Sequence, residues 1–227
     1  MGKCRECFTR ARRPEEIAQR RQEIVAAAAR LLDQQPLDQI SLNGIAREAG
    51  LAKSAVYRYF ESREAIFLQI LERDFRHWVD EVEYALGKLR GCNDAALVSG
   101  ALVAATVRQP RLCHLVSRLA SVLEQNLSEQ AVLAFKQQSV DLAMRMVVAL
   151  SGALPAVPTE QWAEFVNPAI ALIAGLWPLS HPSETVTRVM QRPEFRAFAP
   201  DFERQLRRTL HMALLGMQQQ GQAGSPG

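Results

Sequence analysis

Cysteine is scarce in this chain: four in 227 residues, at positions 4, 7, 92 and 113. Their number and uneven spacing exclude a disulfide framework and lead us to expect reduced thiols in the cytoplasm. No apolar core follows the charged start MGKCRECFTRARR, so we expect no secretory signal. Glu6 stands where a myristoylated Met-Gly start carries Ser or Thr. The longest uninterrupted apolar run, Ala169 to Trp177, falls short of the roughly 20 residues that cross a bilayer, and no membrane partner is expected. Histidine is also rare, with four in the chain, and none is helically paired with another. G-x-S-x-G, a P-loop, H-E-x-x-H and a Gly-rich dinucleotide fingerprint are all missing. We therefore expect no catalytic residues, no metal site and no cofactor. Period-two alternation of β-branched residues is lacking too, which argues against a sheet, and no repeat of 20–50 residues is visible.

What remains is apolar, helical in pattern and unevenly charged. Apolar residues make up 48% of the chain, enough to bury a core. Residues 1–63 carry 12 Lys and Arg against 8 Asp and Glu, whereas the rest carries 15 against 16. The positive excess is thus N-terminal, where a polyanion would be met. Residues 15–34 place Ile17, Ile24, Ala28, Leu31 and Leu32 on one face, with Pro14 in the first turn and Pro36 beyond the end. SLNGIAREA predicts a short helix capped by Ser41. A third helix lies within 53–60, and a long fourth follows Ser62 and ends near Gly87 or Gly91. Further helical segments are predicted over 94–108, 110–126, 128–152, 159–177, 183–192 and 201–219, punctuated by proline.

Residues 41–60 have the requirements of two helices crossing through a tight turn. Ala46 is small enough for close backbone approach. Gly50 can take the positive φ of the turn. Val56 is a branched apolar side chain directed back into the shared core. The other side of the second helix carries Lys53, Ser54, Tyr57, Arg58 and Tyr59. In a major groove Lys and Arg donate to guanine, while Tyr and Ser hydroxyls reach phosphates. Ser41 adds a hydroxyl and free amides at a helix N-terminus, and Arg63 can clamp the backbone beyond.

The ordered run IAREAGLAKSAVYRYFESREAIF, within residues 17–77, resembles the DNA-binding domain of the TetR family of bacterial transcriptional regulators. The resemblance implies an all-α protein: an N-terminal three-helix helix-turn-helix DNA-binding domain and a C-terminal helical bundle for ligand binding and dimerisation. It implies a homodimer on a palindromic double-stranded DNA operator, usually a repressor, released by a small-molecule effector. The family's phosphate contacts fall on Ser41, Ser54, Tyr57, Tyr59 and Arg63, with Lys53 and Arg58 left for base edges. Two departures are visible. Ala52 replaces the usual Ser or Thr cap of the recognition helix, forfeiting about 1 kcal/mol. Pro36-Leu37 replaces the usual Gly-aromatic pair.

The expected organisation is a basic flexible arm over 1–14, the DNA-binding domain over 15–77, the ligand-binding and dimerisation domain over 78–219 and a disordered tail over 220–227. The arm could insert Arg10, Arg12 or Arg13 into a minor groove or remain a solvated tail. Its Cys4 and Cys7 form a CxxC that lacks the second ligand pair of a zinc site. Segments 159–177 and 201–219 are the candidate dimer helices, and 159–177 is apolar nearly all round, so it should be buried on more than one side. Pro168 should kink that helix or mark its start. Polar residues within apolar runs point to the pocket: Thr106, His114, Ser117, Ser121, Ser139 and Trp177. The alternative is a helical DNA-binding regulator without an effector, acting through partner recruitment or a redox or metal signal at Cys4 and Cys7.

Overall fold

A computed structural model describes residues 14–124 and 127–223. The described residues are all-α, with no strand among them. The expected arm, with Cys4 and Cys7 and the arginines up to Arg13, lies outside the described residues. The chain divides into two compact units whose boundary falls between Ile70 and Leu71.

In the first unit, α1 (Pro14–Leu32), α2 (Leu42–Glu48) and α3 (Lys53–Val56) precede α4 (Arg63–Gly87). The core is made by Ile24, Ala28, Leu37, Ile40, Ile45, Val56, Phe60, Phe67 and Ile70. Ile17 departs from the expected face: it is exposed, one turn into α1. Pro36 leads into a 3-10 turn, Leu37–Gln39, which drops Leu37 into the core where the family's aromatic is expected. The third helix is shorter than expected. It ends at Val56, and Tyr57 to Phe60 continue as tight turns whose amides bond to carbonyls three and four residues earlier.

In the second unit, α5 (Ala95–Val107), α6 (Pro110–Arg118), α7 (Glu129–Ala153), α8 (Thr159–Ser180), α9 (Glu184–Met190) and α10 (Phe202–Ala223) surround the second half of α4. α8 packs on α6 and α7, and α10 packs on α5 and α8. Arg145 of α7 is tied to Asp80 of α4 at 2.6 Å and to Glu83. Arg111 of α6 grips the buried Asp74 of α4 through two bonds of 2.7 and 3.0 Å.

Several expectations change here. The helix expected over 110–126 widens after Arg118 into a π-helical stretch, Leu119–Leu123. α8 runs unbroken past Pro168 and Pro178, so Pro168 does not start it. Both prolines lie on the outer face, where water can satisfy the carbonyls they leave unpaired. α8 is buried on one side only within the chain, through Trp162, Phe165, Val166 and Ile173. By length and composition it is also apolar enough to cross a membrane, which the count of uninterrupted apolar residues did not show. The tail expected to be disordered from residue 220 is helical to Ala223. Gln218 explains this: its amide donates to the Asn93 carbonyl at 2.9 Å. Gly221 contributes too, because a Cβ there would collide with the Ala156 carbonyl.

Candidate functional site

The helix-turn-helix geometry begins with its turn. Gly50 has φ +67°, the left-handed region that costs other L-residues about 1–2 kcal/mol. Its amide bonds to the Arg47 carbonyl at 3.1 Å, and the Leu51 amide bonds to the Ala46 carbonyl at 2.8 Å. This pair of bonds closes α2 in a Schellman motif and redirects the chain. Ala52 then begins α3 with no side-chain cap.

The turn holds Val56 and Phe60 inward, both buried. Lys53, Ser54, Tyr57 and Arg58 are left exposed, and Tyr59 is half-buried. Lys53 Nζ lies 5.8 Å from the Tyr57 ring centroid, so the cation and the phenol share one end of this surface. Ser41 is exposed and caps α2 by accepting from the Gly44 amide at 3.1 Å. Its hydroxyl proton stays available to a phosphate oxygen. These groups together offer cations, hydroxyls and a helix N-terminus on one solvent-facing surface, the chemistry of groove and backbone contacts.

Arg63 is placed differently from the expected clamp. Its guanidinium donates to the Ile40 carbonyl at 2.8 Å and to Glu64 Oε1 at 2.8 and 3.0 Å. It braces the start of α4 against the segment entering α2. Arg21, which sequence reasoning passed over, does similar work. It stacks over the Phe60 ring at 4.2 Å, donates to the Tyr59 carbonyl and reaches Gln69 Oε1 at 3.3 Å. It therefore pins Tyr59 and Phe60, the end of the segment that begins at Lys53. The signal was present in the sequence: Arg21 sits at helical spacing between Ile17, Ile24 and Ala28.

The second unit contains a cavity of about 530 Å³ between α4, α7 and α8. Phe75, Trp78, Phe135, Met144, Met146 and Ile170 give it a mainly apolar wall. Its polar groups are Ser139, Asn167 and Lys136. Lys136 is paired with Glu124 at 2.6 Å.

Of the six expected pocket residues, only Ser139 lines this cavity. Thr106 is buried and fully used, accepting from Trp78 Nε1 at 3.1 Å and donating to the Leu102 carbonyl at 2.8 Å. Ser117 donates to the His114 carbonyl at 2.7 Å. Ser121 is exposed on the π-helical stretch. Trp177 stacks on His181 with centroids 3.8 Å apart and meets Phe202 edge-on. His114 lies on α6 outside the lining. Polar residues in apolar helices more often satisfy their own helix than a ligand.

Comparison with known proteins agrees with this geometry. Residues 24–70 match the family model for bacterial regulatory proteins of the tetR family, and residues 72–221 match the tetracyclin repressor-like C-terminal domain. The regulator EthR of Mycobacterium tuberculosis is 42% identical over 50 residues, 22% of this chain and 23% of EthR. The uncharacterised regulator YvdT of Bacillus subtilis is 30% identical over 81 residues, 36% of this chain and 40% of YvdT. The chain thus spans less than half the length of each of these relatives. Solved structures align over most of the chain at low identity and show the fold. The fatty acid degradation regulator FadR from Bacillus halodurans superposes with a TM-score of 0.54 at 15% identity, over 91% of this chain and 97% of that one. A TetR-family regulator from Streptomyces coelicolor superposes with a TM-score of 0.52 at 19% identity, over 87% and 98%. The Schellman turn, the exposed basic and hydroxyl face and the two family matches converge: the chain belongs to the TetR family of DNA-binding transcriptional regulators.

Proposed function

We propose that the protein is a homodimeric, ligand-released repressor that binds a palindromic operator in the bacterial cytoplasm. The observation that carries this reading is the exposed face of Lys53, Ser54, Tyr57 and Arg58 behind the Gly50 turn. In it, Lys53 and Arg58 reach base edges, and Ser41, Ser54, Tyr57 and Tyr59 hold phosphates. Arg63 acts on phosphate only through its remaining N–H groups and serves first as a brace.

Dimerisation is supported by the outer faces of α8 and α10. Ala171, Gly175, Pro178 and Leu179 are exposed on α8, and Met212 and Leu215 on α10. Small residues let a second helix approach closely, and burying the larger ones contributes about 25 cal/mol per Å². The effector would occupy the cavity lined by Phe75, Trp78 and Met144, and its apolar wall selects an apolar or weakly polar molecule. α4 supplies Phe75, Trp78 and Val79 to that wall and also begins at Arg63, so it is the element through which occupancy is read out.

Light scattering of the free protein tests the dimer, and a thermal-shift screen against apolar small molecules tests the effector. A dimer mass is expected, together with at least one molecule that raises the melting point and lowers DNA affinity. A monomer whose DNA affinity no ligand alters would overturn the proposal.

A further inference from the structure

A second cleft, of about 610 Å³, lies between α5 and α10. It shares no lining residue with the apolar cavity, and its chemistry is opposite. α10 lines it with Arg204, Arg207, Arg208 and His211, which recur at helical spacing and so share one face. The three arginines are like charges, which at such spacing are destabilising unless something neutralises them. The two acids in the cleft are already committed. Glu203 pairs with Arg207 at 2.8 Å. Asp201 caps α10 by accepting from the Arg204 amide at 3.0 Å, and its other oxygen lies 4.0 Å from Arg204 Nε. Arg208 is exposed and has no ion pair among the described residues. His211 Nδ1 is shielded from water and has no hydrogen-bond partner, a cost that a ring rotation toward a bound anion removes. On the α5 side the wall is formed by Ala96 and Ser99. Gly100 sits beside them, where a Cβ would come within 3.2 Å of Arg207 Nη1, so the absence of a side chain lets that guanidinium lie against α5.

We propose that this cleft binds a small organic anion, its carboxylate or phosphate held by the Arg208 fork with Arg204 and His211 beside it. The planar guanidinium suits a two-oxygen group, and the volume suits a molecule of drug size. Such a ligand would bridge α5 and α10, independently of whatever occupies the apolar cavity.

Calorimetric titration of the full-length protein with citrate, benzoate and inorganic phosphate, at constant ionic strength, tests this. At least one is expected to bind saturably, with one equivalent per chain. Preference for citrate or benzoate identifies a carboxylate ligand, and preference for phosphate a phosphorylated one. Arg208→Ala is expected to weaken binding tenfold or more, and Arg208→Lys to recover only part of it. Ser139→Ala, in the apolar cavity, is expected to leave binding unchanged. The ring resonances of His211 in the wild-type protein should move with the same saturation curve, a readout that needs no variant. Failure of all three anions to saturate, undiminished binding in Arg208→Ala, or unmoved His211 resonances would each overturn the proposal.

Discussion

Arg21 shows how a single side chain can hold the end of the proposed recognition segment in place. Its guanidinium lies over Phe60 and donates to the Tyr59 carbonyl, so removing it frees the end of the segment that carries Tyr57 and Arg58. Arg21→Ala is expected to destabilise the protein by about 1–3 kcal/mol, the range for a hydrogen bond to a charged group with a stacked ring. DNA affinity should fall without a change in the preferred sequence, which denaturant unfolding and competition binding would read. Arg63 was legible in the sequence as a cation beside the recognition helix. Its acceptor, the Ile40 carbonyl 23 residues away, was not, because partners distant in sequence leave no trace in local spacing. Cys113 gives a second test at this scale. Burial pushes its thiol up from an ordinary 9.0 to about 12, so the folded state holds the neutral form. Its contribution is complete below about pH 9 and is lost as pH rises toward 12. In the native protein, iodoacetamide mapping should find Cys92, which is exposed, and miss Cys113.

Between Glu48 and Val56 the protein depends on two residue choices, Gly50 and Ala52, one favourable and one not. Nothing lies within 4 Å of a Cβ placed on Gly50, so Gly50→Ala costs only its backbone conformation, about 1–2 kcal/mol. Ala52 leaves α3 without a side-chain cap, so Ala52→Ser should add about 1 kcal/mol. Thermal melts of the two variants, shifted in opposite directions, would verify both. Gly50, Ser41 and Val56 were legible because turn and cap chemistry is local. The short reach of α3 was not, since Tyr57 to Phe60 keep helix-like bonds in a tighter winding. The π-helical stretch after α6 was equally hidden. Arg111 and Asp74 join α6 to α4, and Asp74 is buried. Arg111→Ala would leave that carboxylate only the longer pairing with Arg73 Nε at 3.5 Å and is expected to cost about 1–3 kcal/mol.

At the scale of the molecule, the order of the helices among the described residues was readable from apolar periodicity and proline punctuation. The cavity lining was not. Polar residues in apolar helices suggested it, yet Thr106 and Ser117 are satisfied by nearby groups, and Phe75, Met144 and Ile170 form the wall instead. The same limit applied to α8, whose outward face of Ala171, Gly175 and Leu179 only the packing reveals. Gly175→Glu, on that exposed face, should leave the chain folded and shift the mass from dimer to monomer by light scattering. It should also abolish binding to paired half-sites, which sit about one or more helical turns apart.

In the proposed assembly one face, Lys53 to Arg58, reads DNA from two copies of the chain. The most direct test is selection of bound duplexes from a random pool, by the wild-type protein and by Arg58→Ala in parallel. Both proteins should enrich a palindrome, with Arg58→Ala losing preference at one or two symmetric base pairs, about 1–3 kcal/mol each. Enrichment of a non-palindromic sequence, or an identical motif from the two proteins, would contradict this reading.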